Sequence, residues 1–69
     1  MSAIPVASLK PGMTVDGELG PSVVLGVEVY EYRHSREPGR SVLFRDLADG
    51  IEYRRLYTLN HTFEAVSHG

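Results

Sequence analysis

The sequence predicts an all-β fold. Val23, Leu25, Val27 and Val29 alternate with Val24, Gly26, Glu28 and Tyr30, the period-two signature of a half-buried strand. Turn-forming phrases recur at short intervals, at Gly20-Pro21-Ser22, Glu37-Pro38-Gly39 and Ala48-Asp49-Gly50. No segment of useful length shows the spacing of an amphipathic helix, and there is no internal repeat or low-complexity tract.

The elements follow in order. Thr14–Glu18 is a weak first strand, and Gly20-Pro21-Ser22 turns the chain into the long strand Val23–Tyr32. Its odd-numbered residues are expected in the core, and Gly26 within it marks a bulge or a sharp coil. Arg33–Arg40 reads as a loop, followed by the strand Ser41–Leu47 with Val42 and Phe44 inward and Leu43 and Arg45 opposite. Ala48-Asp49-Gly50 closes a tight hairpin in which glycine supplies the positive φ. The return strand is Ile51–Tyr57, with Ile51, Tyr53 and Tyr57 on one face. A helical turn at Thr58–His61 leads to a short closing strand, Thr62–Val66. Five short strands in 69 residues suit one small barrel that closes on itself and hides its edges. An SH3-like barrel fits better than an OB-fold, which needs room for a helix between its third and fourth strands.

Composition narrows the function. A chain this short buries only about 60% of its unfolded surface, so the core is thin. There is no cysteine to staple it, which removes disulfides and thiolate metal sites and is compatible with the cytoplasm. No apolar run reaches the roughly 18 residues of a spanning helix, and the N-terminus lacks the pattern of a secretory leader, so no membrane association is expected. The net charge of −2 argues against wholesale electrostatic binding of nucleic acid. The charge is unevenly placed, because Lys10 alone faces Asp16, Glu18, Glu28 and Glu31 in the first half, whereas all six arginines fall in the second.

Three of those arginines, Arg33, Arg36 and Arg40, lie in the eight residues Arg33–Arg40, with His34 among them and Tyr30 and Tyr32 leading in. Arginine makes planar, bidentate contacts that lysine does not. Tyr30 and Tyr32 share a strand face with Glu28, opposite the core-facing valines. Tyrosine beside arginine is the composition of a protein-contact hot spot and also of a stacking platform for single-stranded nucleic acid. The candidate partner-binding set is therefore Tyr30, Tyr32, Arg33, His34, Arg36 and Arg40. Glu28, Glu31 and Glu37 among these residues would repel phosphate. That ranks a protein partner first and RNA second, with a homo-oligomer as a third reading because long strands around a thin core invite pairing.

Catalysis is not expected. His34, His61 and His68 are scattered without metal-ligand spacing, Ser35 and Ser41 lack a placed base, and no Gly-rich phosphate loop is present. A barrel this small is filled by its own side chains, and no cofactor or metal is implied.

Leu9-Lys10-Pro11-Gly12-Met13, the later Val23-Val24-Leu25 with Glu28, Pro38-Gly39, and Leu47 with Asp49-Gly50 together resemble the N-terminal, KOW-like SH3 domain of bacterial elongation factor P over roughly residues 8–66. The resemblance implies a five-stranded KOW-like barrel whose long loop carries the functional tip. That family has a modified lysine after Pro-Gly; here the matching residue is Arg40, which cannot take the same modification. The OB-type domains that follow in the factor have no counterpart in these residues, so a working translation factor is not expected. Isolated barrels opening with Leu-Lys-Pro-Gly also look like small accessory proteins of actinobacteria and their phages.

Overall fold

The computed structural model describes residues 3–31, 33 and 37–66. Six strands run through them: β1 (Ala3–Pro5), β2 (Thr14–Gly17), β3 (Gly20–Glu31), β4 (Pro38–Asp46), β5 (Glu52–Thr58) and β6 (Thr62–Glu64). A single 3-10 turn at Val6–Ser8 is the only helical element among the described residues. Strands β2-β3-β4-β5 form one antiparallel sheet, and β1 pairs with β6 in a second. A bridge between Val15 and Ala65, with the Val66 N–H donating to the Thr14 carbonyl at 3.2 Å, joins the two. The result is a small all-β barrel built from a curled antiparallel sheet.

The strand count exceeds the expected five because β1 carries no alternation to reveal it. Its three residues include Pro5, and their partners Thr62–Glu64 lie at the far end of the chain. Proline is tolerated there because β1 is an edge strand.

The core is aromatic at its centre. Phe44 stacks on Tyr53 with ring centroids 5.1 Å apart and lies 5.8 Å from Phe63, while Tyr57 meets Phe63 edge-on at 4.9 Å. Val6, Leu9, Val15, Val24 and Val42 complete the buried cluster. Both Val42 and Phe44 face inward, as the alternation of that strand requires, because β4 is flanked by β3 and β5 and holds a regular register.

β3 departs from simple alternation. Val24 pairs with Phe44 and the next pair is Gly26 with Leu43, so Leu25 is an extra residue and forms a bulge. The bulge at Gly26 was legible in the sequence, but its consequence for parity was not. Before it, the inward residues are Ser22 and Val24, not Val23 and Leu25; after it, Val27 takes the inward side. Val29 shares that side in register yet is 80% exposed, since it lies beyond the part of the core that could cover it.

Three turn assignments shift in the same way. The β2–β3 hairpin turns at Glu18-Leu19, and Gly20-Pro21-Ser22 already belongs to β3. Pro38 and Gly39 lie in β4, paired with Glu31 and Tyr30, rather than in the loop. Ile51 precedes β5 and is 59% exposed, so only Tyr53 and Tyr57 of the expected trio reach the core. The Asp46–Ile51 turn keeps its expected chemistry: Gly50 has φ 76°, and the Asp46 carboxylate accepts the Ala48 N–H at 2.8 Å.

Candidate functional site

The β3–β4 hairpin is paired as far as Glu31 and Pro38, so the connection between its strands spans residues 32–37. Tyr32, His34 and Arg36, three of the candidate contact residues, fall outside the described residues. Arg33 is in an exposed turn. Tyr30 is 37% exposed and lies on the outer face of the sheet, in one row with Gly39 and Thr58.

Arg40 is not part of the tip. It occupies the next row, with Val29 on one side and Tyr57 on the other, and strand alternation places that row on the inward side. It is half-buried, and its Nη1 donates to the Gly39 carbonyl at 2.8 Å. The structure therefore brings Tyr30 and Arg33 to one end of the molecule but sets Tyr30 and Arg40 on opposite faces. Counting Pro38-Gly39 as loop residues hid this, because Pro38 is the first residue of a strand, a position that needs no N–H.

Half of the six arginines in the sequence are committed elsewhere. Arg45 pairs with Glu52 at 3.0 Å, Arg55 with Glu18 at 2.7 Å, and Arg54 approaches Glu28 at 3.8 Å while donating to the Ser41 Oγ at 2.9 Å. Such exposed pairs add little stability, but they cancel the positive field of the strands. Arg33 and Arg40 take part in none of these pairs. The strand arginines are thus paired one to one with carboxylates, whereas the hairpin of residues 28–40 carries three glutamates and three arginines and presents a mixed-charge surface.

Two further features had no sequence signal. Val29 presents an apolar strand residue to solvent beside Tyr30 and Arg40. Tyr57 is buried, yet its hydroxyl has no hydrogen-bond partner among the described residues. Burial, reinforced by the charge of Glu18 and by Tyr53, pushes its pKa up to about 12, with Arg55 opposing.

His61 serves the fold: its N–H donates to the Thr58 carbonyl at 3.1 Å, and its ring lies 4.5 Å from that of Tyr57 and 4.7 Å from that of Phe63. Among the described residues, no group of three His, Asp or Glu side chains is placed to hold a metal ion. None of their helices is long and apolar enough to cross a membrane. No family model and no curated protein matches the chain.

Proposed function

We propose that this chain is a small non-catalytic interaction module of the SH3-like, KOW-like type, which holds a protein partner at the β3–β4 hairpin end of its barrel. The observation that carries the reading is the contrast in arginine pairing between the strands and that end. Arg45, Arg54 and Arg55 are each matched to a carboxylate, whereas Arg33 stands exposed in the hairpin connection with Tyr30 and Val29 nearby in β3. Tyrosine and arginine are side-chain types that carry binding energy in protein interfaces. Glu28, Glu31 and Glu37 in the same hairpin favour a mixed-charge protein surface over a phosphate backbone. Kinship with the KOW-like domain of elongation factor P, and with bacterial or phage accessory barrels, is supported by the Leu9–Met13 phrase leading into β2 and by Asp49-Gly50 in the β4–β5 hairpin. A cytoplasmic site of action accords with the absence of cysteine.

The test is affinity capture from the native host with the wild-type chain and with an Arg33→Ala, Arg36→Ala variant. The reading predicts a protein that is retained after nuclease treatment and in moderate salt, and is lost with the variant. Capture that disappears with nuclease and falls steeply with salt assigns the hairpin to RNA. Capture indifferent to the variant removes the hairpin from the contact.

A further inference from the structure

β3 is an edge strand for half its length. β2 pairs with it only over Gly20–Val23, and two backbone bonds, from the Gly12 N–H to the Val24 carbonyl and from the Val24 N–H to the Met13 carbonyl, extend the contact one residue further (2.8 Å each). At Leu25 the bulge turns the strand away. From Val27 to Glu31 the opposite edge is fully paired with β4, and no described strand lies on the β2 side. The sequence of this open stretch, Val27-Glu28-Val29-Tyr30-Glu31, has no proline or lysine, and its only charges are Glu28 and Glu31. Other edges in the molecule are blunted: the Arg55 Nη1 caps the Arg54 carbonyl on β5 at 3.0 Å, and β1 ends in Pro5.

We infer that this edge is covered by the same edge of a second copy of the chain, β3 pairing antiparallel with β3 about a two-fold axis at Val29. The choice of occupant rests on the strand being complementary to itself in that register. Residues opposite one another in an antiparallel pair share a face, so the axis must pass through a residue. Placed at Val29, it sets Val29 against its own copy and extends the inward stripe of Val27 and Val29 into the stripe of the second chain. On the outer face each Tyr30 stands opposite the copy's Glu28, a carboxylate whose charge Arg54 already offsets. Val27 faces the copy's Glu31 at the rim. No like charges stand directly opposite, whereas an axis at Glu28 would set two carboxylates face to face. Pairing would stop before the bulge, so the backbone at Gly12 and Met13 does not obstruct it. The 80% exposure of Val29 is then a property of the single chain, and the dimer buries it. Val29 and Tyr30 belong to this edge as well as to the contact surface proposed above, so the dimer leaves Arg33 and the hairpin connection for the partner.

Sedimentation equilibrium tests it directly. The wild-type chain is expected to approach twice the 7.6 kDa of one chain at high micromolar concentration. Val29→Lys, at a residue too exposed to disturb the core, should weaken the association by about tenfold or more through like charges on the axis. Register is read with a single cysteine in a chain that otherwise has none. Opposed Cα atoms are about 4.5–5.5 Å apart across an antiparallel pair, within disulfide range. Under mild oxidation Val29→Cys should give a cross-linked dimer, and Leu47→Cys, also exposed, in the β4–β5 hairpin, should not. A wild-type mass of one chain at these concentrations overturns the inference, as does a Val29→Lys variant that dimerises normally or cross-linking that is equal at the two cysteines. Because Val29 also lies in the proposed contact surface, the partner reading is judged separately, by capture with the Arg33→Ala, Arg36→Ala variant, whose mass should remain that of the dimer.

Discussion

The Tyr53 hydroxyl lies 2.7 Å from the Ser22 Oγ, joining β5 to the start of β3 across the interior. Ser22 gives its own proton to the Gly20 carbonyl at 3.0 Å, which leaves Tyr53 to donate. The same hydroxyl sits where a side chain on Gly17 would begin, so the β2–β3 hairpin closes onto β5 only because that residue is glycine.

Gly17→Ala should therefore destabilise the fold by about 1–3 kcal/mol through overpacking. Tyr53→Phe should cost about 1 kcal/mol for the lost hydrogen bond. Combined, the two should cost less than their sum, because the second removes the atom that the first strikes. Urea denaturation of the four proteins measures the coupling, and strict additivity would show that the hydroxyl does not limit the approach.

Val24 and Val29 test the bulge. Val24→Ala, at a residue with no exposed surface, should cost about 2 kcal/mol or more, whereas Val29→Ala should stay within about 0.5 kcal/mol in the single chain. Alternation unbroken from Val29 back through Val23 would put Val24 on the outer face, and Val24→Ala would then cost no more than about 0.5 kcal/mol in the same denaturation experiment.

Tyr57 carries a prediction in alkali. Its pKa in the folded chain is about 12, above the ordinary value of 10.0, so the folded state holds its proton more tightly than the unfolded one. The resulting stability is fully present below pH 10 and is lost as the pH rises through 12. Two pKa units correspond to about 2–3 kcal/mol. Tyr57→Phe, which removes a buried hydroxyl without a described partner, should be neutral or stabilising at pH 7 and should flatten this part of the pH dependence. Guanidinium midpoints between pH 9 and 12 check both statements.

What the sequence disclosed follows from the range of the interactions involved. The Asp46–Ile51 turn was legible because its geometry is set locally, by a carboxylate reaching two residues ahead and a glycine at positive φ. Val42 and Phe44 were legible because a strand paired on both sides holds its alternation. The parity of Val23 and Leu25 was lost because the extra residue at Leu25 puts the residues before it out of step with Val27 and Val29, and a period-two count has no means of registering it. Arg40 was misplaced for a related reason: its distance from the tip depends on how far Glu31 and Pro38 stay paired, which is a property of two strands together. The hairpin was found as a basic segment, but the pairing of Arg45, Arg54 and Arg55 that sets it apart joins residues up to 37 positions apart. Fold class was thus legible, and the aim of the side chains around the bulge was not.

The most direct test of the account maps the contact itself. Amide resonances of the labelled chain would be followed while the captured protein partner is added. The account predicts that the largest shifts fall at Tyr30, Arg33 and Glu37 and their neighbours in the β3–β4 hairpin. Shifts concentrated instead at Leu19, Leu47 and Ile51, at the turns β2–β3 and β4–β5, with the hairpin unchanged, would contradict it.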